Sequence, residues 1–428
     1  MESDAAILWT RSSERLGCNT MRRFLCLLVV MGSLTVDAAA QSRLPDLAAV
    51  FAAPITIERG SRVTDAPIEM RSGKIYLQAR INDEAREFIF DTGSPSILSR
   101  EFAQSLNLEI VGQNTGIDAN GQPVTMDIAI VHSIEIGDTA FRNVPVLIFD
   151  FSELELGPCI FDGGVLGSEI LSGSAWRIDT ETETLSLAAN VDDLPGGVPA
   201  LRARLYDFGY PHAPIVDYSI GSVVDKALFD TGSGEVLALF ERVADSPDVR
   251  RGIVADSLRS GRGSEGVSAG GQGAVVDLIR FNLSGFLVDG QPLGPVRAAT
   301  RQAPPTLIGA GILDTYIVTL DYPGGAYLLE SRREQALQRP EKGYAIGFVD
   351  QRATVTQLFD RSPAAEAGLQ LGDHIVSAQG RPLDVSANNP ICGSAMWLAN
   401  EFNPEIALDM VVDREGTLQT IHIPAPDR

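Results

Sequence analysis

Phe88-Ile89-Phe90-Asp91-Thr92-Gly93-Ser94 and Ala227-Leu228-Phe229-Asp230-Thr231-Gly232-Ser233 end in the same tetrapeptide, with the two Asp residues 139 positions apart (230 − 91). Each copy follows an apolar run and precedes another, Ile97-Leu98 and Val236-Leu237. The pattern reads as a buried strand that ends on a carboxylate. Such a group is costly unless it is hydrogen-bonded or used in chemistry. Two of them at equivalent places are expected to meet.

The likeness extends outward from the tetrapeptide. Ile81-Asn82 and Ile220-Gly221 stand ten residues upstream of each Asp, where one strand would turn into the next. Downstream, Val165-Leu166-Gly167-Ser168-Glu169-Ile170-Leu171 matches Leu307-Ile308-Gly309-Ala310-Gly311-Ile312-Leu313 at an offset of 142, and Ile178-Asp179 matches Leu320-Asp321. Internal repeats of this kind predict a duplicated architecture. Short Val, Ile, Leu and Phe runs broken by Asn, Asp and Gly predict strands throughout, so the fold class is all-β. The expected organisation is a first lobe over 66–190 and a second over 201–332, joined by the linker Asp192-Asp193-Leu194-Pro195-Gly196-Gly197. Residues 41–65 read as a leader that could lay a strand across the lobes or act as a pro-segment.

Length and composition set the outer limits. A chain of 428 residues, 44% apolar, is long enough for two or three packed domains. Its net charge of −22 disfavours nucleic acid and anionic membrane as partners. Arg22-Arg23, the apolar run Phe24 to Met31 and Ala38-Ala39-Ala40 predict an export signal over 1–40, with Met21 as a possible true start. The run is too short for a membrane span, so a periplasmic or secreted protein is expected. Of four cysteines, Cys159 and Cys392 lie beyond that signal, in different expected domains, and are read as two buried free thiols in preference to an interdomain disulfide, which an exported chain permits. Four scattered histidines and no paired Cys/His spacing give no support for a metal or other cofactor.

If the two Asp-Thr-Gly turns face each other, Asp91 and Asp230 cannot both ionise comfortably. The pair would hold one proton between them. That state suits amide hydrolysis, with one Asp as base toward a water and the other as acid toward the carbonyl oxygen.

The doubled motif, its strand context and the downstream apolar-apolar-Gly resemble the pepsin and retropepsin aspartic proteases. The resemblance implies two pseudosymmetric β-barrel lobes that share one active site, closest to a fused, tandem retropepsin. Asp91 and Asp230 would be the catalytic dyad. Thr92 and Thr231 would form cross-lobe hydrogen bonds, Ser94 and Ser233 would hold the outer carboxylate oxygens, and Gly93 and Gly232 would bring amides to the dyad. Val165-Leu166-Gly167 and Leu307-Ile308-Gly309 would complete a Ψ-shaped strand pair beneath each loop. Flap hairpins would fall near Asp118-Ala119-Asn120-Gly121 and Ala269-Gly270-Gly271-Gln272-Gly273, although the Gly/Ser-rich stretch around the second reads equally well as a surface loop. The implied partner is a polypeptide substrate. Pairing of the lobes within one chain, giving a monomer, is expected over pairing of first lobes between two chains. A rival reading is a catalytically silent peptide-binding protein of the cell envelope.

Residues 342–428 have their own pattern. Ser362-Pro363-Ala364-Ala365-Glu366-Ala367-Gly368-Leu369 followed by Leu371-Gly372-Asp373-His374-Ile375 resembles a bacterial protease-associated PDZ domain. Ala345-Ile346-Gly347-Phe348 stands where that family carries its carboxylate-binding loop. By resemblance, amides near Ile346, Gly347 and Phe348 would receive a peptide C-terminus.

Overall fold

The structure is a computed structural model and describes residues 47–332, 343–383 and 390–425. The expected export signal over 1–40 lies outside these residues. The chain is mostly β.

In the first half, Lys74–Ile81 pairs antiparallel with Glu84–Phe90 in register Ile81↔Glu84. Glu84–Phe90 then pairs in parallel with Gly164–Leu166, which also lies antiparallel to Ile97–Ser99. Ile97–Ser99 runs parallel to Thr139–Phe149 on its other side. The second half repeats every one of these relations. Ile215–Ile220 pairs antiparallel with Val223–Asp230, which runs parallel to Thr306–Gly309. Thr306–Gly309 lies antiparallel to Leu237–Phe240, which runs parallel to Val296–Arg301. The short strand under each Asp loop is thus clasped between two others.

A six-stranded antiparallel sheet joins the halves, in the order Val63–Arg71, Thr184–Ala188, Ala175–Asp179, Tyr316–Asp321, Ala326–Ser331, Leu201–Tyr206. Its central pairs are Trp176↔Leu320 and Ile178↔Val318. The offset of 142 carries 176 to 318 and 178 to 320, so it exchanges the two pairs, as a local twofold axis does. One apolar core runs through both halves and includes Phe90, Phe141, Trp176, Phe229, Leu320 and Tyr327. The rings of Phe90 and Phe141 stack on Trp176, whose indole N–H donates to the Leu171 carbonyl at 3.0 Å. That bond satisfies the polar handle of a fully buried indole.

Residues 343–425 build a separate core around Phe348, Val355, Leu369, Trp397 and Val412. Its strands are Tyr344–Val349, Arg352–Phe359, His374–Ala378, Leu408–Arg414 and Thr417–Ile423, with the helix Ile391–Asn400 packed on them.

Four expectations are corrected here. Thr56–Arg59, in the expected leader, pairs with Thr139–Phe149 of the first half alone and does not cross both halves. Val63–Arg71 likewise starts inside the leader, so the boundary at 66 cuts a strand. Ile346, Gly347 and Phe348 sit within a strand rather than a loop, bonded to Arg352–Phe359 with a bulge at Ala345/Ile346. Cys159 and Cys392 are joined in a disulfide and are not free thiols. The turn Gly157–Ile160 brings Cys159 against the start of helix Ile391–Asn400, which carries Cys392. The bond is thus the interdomain disulfide that an exported chain permits.

Candidate active site

Asp91 and Asp230 stand at the ends of their strands because the backbone there is committed to the clasped strand below. The Asp91 amide donates to Leu166 O at 2.9 Å, and Asp230 is in register with Gly309. Beyond each Asp the chain turns at once. Ser94 N donates to Asp91 O at 3.3 Å, and Ser233 N to Asp230 O at 3.1 Å. The next contacts also correspond, with Ser168 N donating to Ser94 O at 2.9 Å and Ala310 N to Ser233 O at 2.7 Å.

The two turns meet within the chain. Thr92 N donates to Thr231 Oγ1 at 3.0 Å, and Thr231 N donates to Thr92 Oγ1 at 3.1 Å. Each hydroxyl passes its own proton across, Thr92 Oγ1 to Phe229 O and Thr231 Oγ1 to Phe90 O, both at 2.7 Å. Both threonines are fully buried, so four polar groups that water cannot reach are satisfied by the opposite half.

Gly93 and Gly232 are required by space. A Cβ on Gly93 would lie 2.5 Å from the Asp230 carboxyl carbon, and one on Gly232 would lie 2.3 Å from Asp91 Oδ2. Each glycine amide donates to the carboxylate of its own loop, Gly93 N to Asp91 Oδ1 at 3.0 Å and Gly232 N to Asp230 Oδ1 at 2.8 Å. The serines behave differently from expectation. Ser94 Oγ donates to Pro95 O at 2.8 Å, and no hydrogen bond joins either serine hydroxyl to its Asp among the described residues.

Each carboxyl lies against the glycine of the opposite loop, close enough for Asp91 and Asp230 to act on each other. Burial, with the Asp230 charge as the next cause, pushes Asp91 up from 3.8 to about 7. A cation opposes this. Lys74 Nζ donates to Gly232 O, and its charge favours the ionised form of Asp91. Nothing in the repeat marks Lys74, because the offset of 139 leads to Ala213.

Two hairpins close over the site. One joins Gly112–Ile117 to Pro123–Ile136 with its tip at Asp118 to Gln122, and the other pairs Val267–Ser268 with Gly271–Gln272. Their tips touch: Gly270 N donates to Asp118 Oδ2 at 2.9 Å, and Ala119 N donates to Ser268 Oγ at 3.2 Å. The Gly/Ser-rich stretch is therefore a built hairpin arm. Beneath it lies a cavity of about 420 Å³ lined by Lys74, Asp230, Glu235, Arg280 and Arg301, among others.

A second buried carboxyl lies under the first loop. Glu169 accepts from Ser96 N at 3.0 and 2.8 Å and from the Tyr210 hydroxyl of the second half at 3.3 Å. Burial pushes it up from 4.5 to about 7. The repeat has Gly311 at this position, so an acid inside the matched apolar-Gly segment is the sequence signal that marks Glu169.

In the C-terminal segment, Phe348 is buried in the core while Ile346 and Gly347 are half-exposed. Their strand pairs on one edge only among the described residues. No cluster of metal-ligating side chains occurs among the described residues.

A family of sequences described as aspartyl protease matches residues 77–170. No curated protein matches the chain. The matched stretch holds Asp91 and its clasped strand, so this region is aspartic protease-like.

Proposed function

We propose that the chain is an aspartic endopeptidase in which Asp91 and Asp230 act as one dyad. The observation that carries this reading is the reciprocal Thr92–Thr231 bonding, which holds the two carboxyls beside each other under two touching hairpins. The match over 77–170 supports peptide hydrolysis for the region around Asp91.

In this mechanism the dyad holds one proton, on Asp91. Ionised Asp230 takes a proton from a water whose oxygen forms a bond to the peptide carbonyl carbon. Asp91 gives its proton to the carbonyl oxygen, so the tetrahedral intermediate carries two hydroxyls. Asp230 then passes its proton to the leaving nitrogen as the C–N bond breaks, and Asp91 recovers a proton from one hydroxyl as the carboxylic acid forms. Gly93 and Gly232 amides stabilise the ionised form within each loop, and Lys74 limits how far Asp91 is raised.

The two halves are proposed as duplicated, retropepsin-like β-barrel lobes, on the strength of the matched strand pairings and the twofold register at Trp176 and Ile178. The segment 342–428 is proposed as a PDZ-type module that assists in binding substrate or a partner peptide, with the edge of Tyr344–Val349 that pairs with no strand among the described residues as the place where a strand could add. Export to an oxidising compartment is proposed from the N-terminal signal pattern and is supported by the Cys159–Cys392 disulfide. A mixed peptide library tests the activity. The purified protein is expected to cleave it, and Asp91→Asn and Asp230→Asn are each expected to abolish cleavage. Cleavage that survives in either variant refutes the shared dyad.

A further inference from the structure

The strand Arg259–Ser264 carries the second hairpin toward the site. One edge of it pairs with Val275–Leu283. The other edge pairs with Arg352–Phe359 of the C-terminal segment, in register Gly261↔Phe359, Arg262↔Leu358 and Gly263↔Gln357. That register depends on glycine: a Cβ on Gly261 would lie 2.5 Å from Leu358 O, and one on Gly263 would lie 2.3 Å from Thr356 O. The C-terminal segment therefore reaches the cavity itself, where Gln357 and Phe359 stand among the lining residues with Asp230.

There they hold one cation. Gln357 Nε2 donates to Ser264 O at 2.7 Å, which fixes its amide, and its Oε1 accepts from Arg280 Nη2 at 3.2 Å. The Phe359 ring lies under the Arg280 guanidinium, 4.7 Å from its centroid, a cation–π arrangement. Arg280 also donates to Glu235 at 3.0 Å, but Glu235 is shared with Arg297 at 3.4 Å. The cavity's other cations donate to carbonyl oxygens, with Lys74 also acting on Asp91 and Arg301 on Asp230 and Glu265. Lys74 donates to Gly232 O, and Arg301 donates to the carbonyls of Pro305 and Ala119. The cleft lining thus sets three cations, Lys74, Arg280 and Arg301, beside three acids, Asp230, Glu235 and Glu265, and Arg280 shares its carboxylate, Glu235, with Arg297.

We propose that Arg280 is a specificity-determining residue that selects an acidic side chain in the bound polypeptide, and that Gln357 and Phe359 of the C-terminal segment are the positioning residues that aim it. The proposal rests on the peptide-cleft reading above. It makes the C-terminal segment part of the cleft as well as a separate binding module.

The test is a set of peptides identical except for Glu, Gln or Leu at one position, moved in turn along the residues flanking the cleaved bond. At one position the wild-type protein is expected to favour Glu over Gln by about tenfold in kcat/KM, equivalent to about 1.4 kcal/mol. Arg280→Met is expected to bring that ratio close to one. Gln357→Ala should raise KM for the Glu peptide more than for the Gln peptide and move kcat for both alike. A ratio near one in the wild type at every position, or an unchanged ratio in Arg280→Met, overturns the proposal. If the wild type cleaves nothing, the function proposed above fails first. Calorimetric binding of statine peptides bearing Glu or Gln then reads the same preference without catalysis, and equal affinities overturn it.

Discussion

Thr92 and Thr231 each satisfy the other's buried amide, so neither Asp loop has complete hydrogen bonding without the opposite half. Thr92→Val keeps the shape and removes the hydroxyl, leaving Thr231 N and Phe229 O without partners. An unsatisfied buried group costs about 1–3 kcal/mol. Urea denaturation is expected to give a loss in that range for Thr92→Val and a much smaller one for Thr92→Ser. Equal losses for the two variants would show that packing, and not the hydroxyl, joins the halves.

In the proposed mechanism Asp91, raised to about 7, would set the alkaline limit of activity. Below that value the dyad holds its proton; above it both carboxyls ionise and the acid is lost. The rate is expected to fall as pH rises through about 7. Lys74 favours ionised Asp91, so Lys74→Met should move this limb to higher pH. A limb that stays in place or moves down would remove Lys74 from the site's electrostatics.

Gly232→Ala forces a methyl group against Asp91 Oδ2. Such overpacking costs about 1–3 kcal/mol of stability. A displacement of the dyad on the order of 1 Å lowers the rate by about a hundredfold. Activity normalised to folded protein separates the two effects, and a fully active, folded Gly232→Ala would contradict the close approach.

Glu169 gives a stability signature independent of catalysis. Its folded value of about 7 lies above the ordinary 4.5. Its contribution is therefore fully present below about pH 4.5 and lost as pH rises to about 7, a change of about 3 kcal/mol. Glu169→Gln is expected to flatten the pH dependence of unfolding in that window, leaving the part due to Asp91, which shifts in the same direction. An unaltered slope would mean that Glu169 titrates as in the unfolded chain.

Much of this architecture was legible because the chain states it twice. The offsets of 139 and 142 mark the strands that clasp each Asp loop, and the structure pairs those strands in matching order. What a repeat cannot signal is asymmetry. Lys74 and Glu169 fall on Ala213 and Gly311 in the other half, so the features that tune Asp91 and buttress its loop had no second copy to reveal them. Contacts between distant segments were hidden for a different reason. Cys159–Cys392 and the pairing of Arg259–Ser264 with Arg352–Phe359 depend on how separately cored units dock, and local pattern carries no record of docking. Ser94 shows the limit of the motif itself, since its hydroxyl has a nearer carbonyl at Pro95 than the expected carboxylate.

The most direct measurement of the central claim is a crystal structure of the protein with a statine peptide, whose hydroxyl mimics the tetrahedral intermediate. The account predicts that hydroxyl within hydrogen-bond distance of both Asp91 and Asp230 of the same chain. A hydroxyl bound to one of them alone, to carboxyls of two different chains, or away from both would contradict it.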